Sequence, residues 1–435
     1  FSSPYFFDII LTCPYLFCPV YCSLSKKGKL FPSYENLSFI ADKLGVSMSY
    51  LIDDDKHSSN SSTDTDLINS LLKEWLVSVN NNEQGNFDET ITRLSFIKSK
   101  MIEHNLDLYS FICDFYLGKT YYEIDDFTQC ESTINRILPK LEQHNLHVYL
   151  AESYFLLGKC KTSSFNCGEA VEYYERCLDV INTQKLVLKD VHVRCLINLA
   201  SSLDTMNLVT KAFSVFNTAL STAREHSVSK YIGTVLNNIG YTLLKLGDLD
   251  EAKAYLSDAF VFSKIIGQTG SMAHAEGNIG LIEVKQGNYE FGIAKIKHST
   301  EIIETFNMPI KTATAYYYLA DAYFVSNNIV DAFDYCKKAL RLSKKSNLPI
   351  ASANGNLIFG KILKANKRKH WALKAFIAAE EIYLQHSAFE NLPDLYSNLA
   401  ELYFDLGRVD DGKDCYRKSV DMLSNPSKYI SNQNK

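Results

Sequence analysis

The sequence predicts an all-α fold, a superhelix of about nine helix pairs with a 40-residue period, and three patterns predict it. The first is a column of small residues. Ala200, Gly240, Gly280, Ala320, Gly360 and Ala400 stand 40 apart, and Gly158, Gly118 and Ser78 extend the column backwards at intervals of 42, 40 and 40. The second is a set of companions at fixed offsets from that anchor. Twelve residues on come Thr90, Cys130, Ala170, Ala212, Ala252, Gly292, Ala332, Ala372 and Gly412; nineteen on come Ala219, Ala259, Ser299, Ala339, Ala379 and Ser419. Bulky residues lie between them at offset sixteen: Tyr174, Phe216, Leu256, Ile296, Phe376 and Tyr416. Small residues let two helix backbones approach, and a large one fills the gap beside them. The third pattern is a pair of alternating breakers. Gly85-Asn86, Gly247-Asp248, Gly287-Asn288, Asn327-Asn328 and Gly407-Arg408 split each pair, because glycine or asparagine can take the left-handed conformation that ends a helix. His104-Asn105-Leu106, His144-Asn145-Leu146, Asn307-Met308-Pro309-Ile310 and Asn347-Leu348-Pro349-Ile350 separate one pair from the next, with proline opening the following helix.

In chain order, residues 1–25 come first and stay unassigned. Three prolines break the segment and no helical period survives in it. Cys13, Cys18 and Cys22 lack a fourth ligand for a metal site, Asp8 and the prolines interrupt a run too short to span a membrane, and the basic start of a secretory signal is missing. The chain opens on Phe1, and this segment reads as an aberrant start joined to a genuine rear half. Residues 26–54 place Leu37, Ile40, Ala41, Leu44, Val46 and Leu51 at the spacing of two short helices, with Lys26, Lys27 and Lys29 suited to phosphate contacts. Residues 55–66 are acidic and serine-rich, a linker. The helix pairs fill 67–423, and 424–435 form a tail.

The net charge of −5 gives no overall basic bias, so any DNA contact must come from a local patch. Eleven scattered cysteines fit a reducing cytoplasm better than a disulfide framework. No phosphate loop, HExxH or GxSxG motif is present, so the expectation is a non-enzyme with no cofactor and no metal.

The small-residue columns and the Leu246-Gly247-Asp248 turn resemble tetratricopeptide repeats over roughly Asp66 to Leu423, although 40 residues exceeds the roughly 34 of the common form. Longer repeats of this pattern are similar to those of the peptide-pheromone sensors of Gram-positive bacteria, the Rap, PlcR and NprR group. Residues 26–54, from Gly28-Lys29 through Pro32-Ser33 to Leu44-Gly45-Val46-Ser47, resemble the rear of a Cro/C1-type helix-turn-helix domain. The earlier helices of such a domain would precede Lys26, where no matching pattern stands, so the domain is partial. The resemblance implies a right-handed superhelix whose first helices line a concave face. It further implies a cytoplasmic, homodimeric transcription regulator that binds DNA and is gated by a short signalling peptide of the quorum-sensing type. A Rap-like response-regulator phosphatase or sequestering protein, and an interaction scaffold without DNA binding, are the alternatives.

The same resemblance places Asn198, Asn238, Asn278 and Asn398, each two residues before its anchor, on the concave face. An asparagine amide can both donate to and accept from an extended peptide backbone, though it can equally tie adjacent helices together. Tyr318 and Ile358 interrupt this column, where the groove is expected to change from backbone clamp to side-chain pocket. Further candidates are Asn237 and Tyr317 beside the column, Tyr241, Asp321, Lys361 and Glu401 just after the anchor, and Arg194, His274 and Asn354 at the edge of the face. Arg194 or Lys361 could pair with a peptide carboxylate, or simply be solvated. Tyr316, Tyr317 and Tyr318 must divide between core and groove.

Overall fold

The computed structural model describes residues 85–103 and 107–424. The Ser78 anchor, the His104-Asn105-Leu106 breaker, the 26–54 stretch with Lys26, Lys27 and Lys29, the linker and the tail beyond 424 lie outside them.

Among the described residues the chain forms seventeen α-helices and no strand. They are α1 (Phe87–Glu103), α2 (Asp107–Glu123), α3 (Phe127–Gln143), α4 (His147–Ser163), α5 (Cys167–Thr183), α6 (Lys189–Thr205), α7 (Val209–Glu225), α8 (Ile232–Leu246), α9 (Leu249–Ile265), α10 (Thr269–Lys285), α11 (Tyr289–Thr305), α12 (Pro309–Val325), α13 (Ile329–Lys345), α14 (Pro349–Ala365), α15 (Lys369–Gln385), α16 (Leu392–Asp405) and α17 (Val409–Ser424). A left-handed residue follows each helix from α2 to α16: Asp125, Asn145, Phe165, Lys185, Asn207, Ser227, Gly247, Gly267, Gly287, Asn307, Asn327, Asn347, Lys367, Ser387 and Gly407. The next backbone N–H then reaches back over the helix end, as Asp248 does to Leu243 O at 3.0 Å and Asn328 to Tyr323 O at 2.8 Å. Phe165, Lys185 and Lys367 adopt this conformation at a cost of roughly 1–2 kcal/mol each. Packing of the flanking helices holds them there, and a search for glycine and asparagine misses these three stops along with Asp125, Ser227 and Ser387.

The small columns are where the helices touch. Thr90, Cys130, Ala170, Ala212, Ala252, Ala332 and Ala372 are fully buried. A Cβ placed on anchor Gly118, Gly240, Gly280 or Gly360 would meet the residue sixteen positions on, respectively Ile134, Leu256, Ile296 and Phe376. At Gly280 it would also lie 2.7 Å from the carbonyl oxygen of Gly292, a backbone-to-backbone approach that only glycine permits. Tyr416 departs from its column: it is 59% exposed on α17, and no described helix follows to cover it.

The chain divides into two compact units. In the described part of the first (to Cys160, with Asp179–Val187), Asp114 of α2 is buried between Lys98 of α1 at 2.7 Å and Arg136 of α3 at 2.9 Å. Phe115 packs edge-on against Tyr149 of α4. The second unit takes Lys161–Leu178 and all that follows Val187. It closes on itself. The turn residue Phe165 packs on Ala313, Leu348 and Ala351 and stacks edge-on against His386, and the Glu390 N–H donates to Thr205 O of α6 at 3.1 Å. The closure follows from one irregularity. Equivalent helices begin eleven residues before the anchor, at Pro309 and Pro349, whereas α16 begins eight before it, with Pro393 in its first turn. A proline ring clashes with the carbonyl four residues earlier, so Pro393 keeps residue 389 out of a helix and frees Glu390 to cross the inner face. No helix among the described residues is long and apolar enough to cross a membrane.

Candidate functional site

The inner face of the second unit is defined by contacts that skip repeats. Tyr241 of α8 and Tyr318 of α12 stand two units apart in sequence, yet their hydroxyls lie 2.9 Å apart. Residues at and around the asparagine column therefore converge, while the residue just before each anchor is directed into the core, as Leu199, Ile239, Leu319 and Leu399 are.

The asparagines fall into three situations. Asn278 Nδ2 donates to Asn237 Oδ1 at 3.0 Å, and Asn237 Nδ2 donates onward to Asn238 Oδ1 at 3.5 Å. This short chain leaves Asn238 Nδ2 as a donor and Asn278 Oδ1 as an acceptor, both unengaged among the described residues. Asn198 is half-buried on α6, its amide likewise without a partner among the described residues. Asn398 is spent: it donates to Asp394 O and Oδ1 at 2.9 and 3.0 Å and accepts from Lys364 Nζ at 3.1 Å.

The tyrosines divide as helical geometry requires. Tyr317 is buried in the α12–α14 core, Tyr316 turns to Tyr335 of α13, and Tyr318 faces inward. The outer candidates are also engaged. Arg194 pairs with Asp190 at 3.4 Å, an acid that Tyr231 and Lys230 share. Lys361 lies between Asp321 at 3.4 Å and Asp394 at 2.7 Å; burial disfavours its charge, but the two carboxylates outweigh that and raise its pKa. Asn354 accepts from Tyr383 Oη at 2.6 Å and Asn391 at 3.0 Å.

A further electrostatic feature is one the periodicity could not reveal. Lys245, at the end of α8, pairs with Asp204 of α6 at 2.9 Å and with Glu390 at 3.2 Å, the three side chains being only 15%, 13% and 25% exposed. One cation is shared by two carboxylates. Burial therefore pushes the Asp204 carboxyl up to about 6 against the pull of Lys245, with Glu390 adding to the rise. On Lys245 burial disfavours the charge, and the charges of Glu390 and Asp204 more than restore it. Because the folded-state value of Asp204 exceeds its ordinary one, its contribution to stability is present at low pH and lost as pH rises through about 6. On acidification from about pH 7.5 to 5.5 the wild type should thus gain about 1 kcal/mol relative to Asp204→Asn, read from paired urea titrations. The difference is the readout, since buried His274 pulls the other way: burial first, then the charge of Lys311, lowers its pKa to about 4.

Beside Asn278 a cleft of about 130 Å³ opens among α10, α11 and α12. His274, Gly277, Asn278, Lys311, Thr314 and Tyr318 are among its lining residues. A cavity of roughly 150 Å³ admits a benzene ring, so this one can take a single branched or aromatic side chain. His274 is neutral there at physiological pH, which leaves Lys311 the only charged group of the lining.

With this geometry in hand, comparison with known proteins gives the following. A family model for the tetratricopeptide repeat matches residues 151–183, 233–260 and 393–422. No curated protein matches the sequence. Among solved structures, a Rap protein complexed with competence and sporulation factor is 15% identical, with 84% of this chain and 99% of that one covered and a TM-score of 0.60. The Rap conjugation gene regulator of plasmid pLS20 in complex with the Phr* peptide is 11% identical, covering 83% and 96%, with a TM-score of 0.58. The apo form of the quorum sensor NprR from B. thuringiensis is 16% identical, covering 82% and 99%, with a TM-score of 0.54. At these identities the likeness is one of fold: the described residues form a tetratricopeptide-like array of helix pairs, similar in fold to the Rap and NprR structures.

Proposed function

We propose that the inner face of the second unit binds a short signalling peptide along its main chain, and that the protein is a cytoplasmic regulator of the quorum-sensing type. The observation that carries this reading is the free donor on Asn238 and the free acceptor on Asn278, joined through Asn237 beside a cleft of side-chain size. A peptide unit offers one N–H and one C=O, the complement of that pair. Asn198 adds a third free amide, Tyr241 and Tyr318 supply hydroxyls, and Asn398, Arg194, Lys361 and buried Tyr317 serve as supports for the face. The Rap structure complexed with competence and sporulation factor, similar in fold, supports the same use of the array. In this reading residues 26–54, with Lys26, Lys27 and Lys29 on phosphates, form the DNA-contacting head of a homodimer, and a response regulator is the partner if the head is inactive.

The test is binding to an immobilised random library of short peptides. The wild type should retain a defined subset. Asn238→Ala with Asn278→Ala should weaken those complexes by roughly 1–3 kcal/mol in calorimetry, with thermal stability unchanged. No retained peptide, or affinity indifferent to both substitutions, would overturn the proposal.

A further inference from the structure

Lys245 and Tyr241 are donors with a single focus, and Tyr318 stands behind Tyr241. Tyr241 Oη donates to Glu390 Oε1 at 2.9 Å, so its one proton is committed and Tyr318 must donate to Tyr241 across their 2.9 Å separation. Lys245 Nζ reaches the same Oε1 at 3.2 Å while also holding Asp204 Oδ1 at 2.9 Å and Asp204 O at 3.3 Å. Two donors thus meet on one carboxylate oxygen, and the other oxygen of Glu390 has no partner among the described residues. That oxygen belongs to no helix. It comes from the α15–α16 connection, which reaches the inner face only because α16 starts late. Corresponding positions one and two repeats earlier, Ile350 and Ile310, carry no charge.

We infer that Lys245, Tyr241 and Tyr318 constitute a carboxylate-binding site on the inner face, occupied in this structure by the chain's own Glu390, and that a carboxylate of an incoming peptide competes with Glu390 for it. Tyr318 belongs both to this site and to the cleft beside Asn278, so a peptide lying on Asn238 and Asn278 has the carboxylate site within its path. Exchange is chemically balanced, one carboxylate replacing another on the same donors while Asp204 keeps Lys245 charged. The 3.1 Å bond from the Glu390 N–H to Thr205 O would be given up as the connection withdraws. This inference rests on the peptide reading above and specifies the chemistry of its ligand.

The experiment uses the full chain and three short-peptide pools: amidated peptides with one glutamate, peptides with glutamine in its place and a free C-terminus, and amidated glutamine peptides. Glu390→Gln removes the internal competitor and leaves the Lys245–Asp204 pair. It should raise retention of a carboxylate-bearing pool about tenfold over wild type and leave the third pool unchanged. Adding Tyr241→Phe, which deletes one hydroxyl and keeps the ring, should cancel most of that gain. Preference for the first pool identifies an acidic side chain as the ligand group, and preference for the second the peptide terminus. Equal retention of all three pools by wild type and Glu390→Gln would overturn the carboxylate site and leave peptide binding standing. Failure of every pool to bind either protein would overturn both.

Discussion

Replacing Lys245 by methionine is expected to lower the unfolding free energy by about 3–5 kcal/mol at neutral pH. The methylene stem keeps most of the packing, but Asp204 and Glu390 are then left as neighbouring buried carboxylates with no cation. Repulsion and unpaid desolvation both act on the folded state. Two further observations separate this cause from lost packing. Asp204 already titrates at about 6, so below that pH it takes up a proton and the penalty of Lys245→Met should shrink. Asp204→Asn in the same background should recover a large part of the loss, because it removes one of the two charges permanently. Urea unfolding of the wild type, Lys245→Met, Asp204→Asn and the double variant at about pH 7.5 and 5.5 decides the matter. A penalty independent of pH and unmoved by Asp204→Asn would mean that the cluster is not electrostatically coupled as the distances indicate.

Phe376→Ala is expected to cost a similar amount, about 3–5 kcal/mol, since the ring is fully buried in the α14–α16 core. The informative part is its coupling to Gly360. A Cβ on Gly360 would run into the ring of Phe376, so Gly360→Ala alone should be destabilising by about 1–3 kcal/mol through overpacking. In the Phe376→Ala background the obstruction is gone. The same Gly360→Ala change should then stabilise, because alanine is the better helix former by about 1 kcal/mol and its methyl enters the cavity. A double-mutant cycle by chemical denaturation measures this reversal of sign. Additive effects would contradict the account of the anchor column as the contact that sets the helix separation.

These two expectations show how differently fold and site are written in the chain. Gly360 and Phe376 stand in columns repeated every 40 residues, and the anchor, the small residues at offsets twelve and nineteen and the bulky residue at sixteen give the helix pairing directly. Asn238 and Asn278 share an offset for the same reason, and a chain of amides through Asn237 joins them. What the pattern did not carry is how each amide is used. Asn398 has the same offset, yet Asp394 and Lys364, residues of no common column, saturate it.

The carboxylate site escaped the pattern altogether. Lys245, Asp204 and Glu390 share no offset from their anchors, so the columns do not pair them. They meet because curvature accumulated over several repeats brings α6 and α8 within reach of the α15–α16 connection, which the late start of α16 frees to cross the inner face. One signal was present in the sequence: Pro393 lies four residues later, relative to its anchor, than Pro309 and Pro349 do. Proline sets where a helix can begin, so that displacement marks the connection that carries Glu390 inward.

The central claim, that the inner face of this array holds a peptide by its main chain, is tested most directly by a crystal structure of the protein bound to a library-selected peptide. The account predicts an extended peptide on the inner face, one of its carbonyls accepting from Asn238 Nδ2, one of its N–H groups donating to Asn278 Oδ1, and a side chain in the cleft lined by His274, Thr314 and Tyr318. A peptide seated on α9, α11 and α13, with both asparagines untouched, would contradict it.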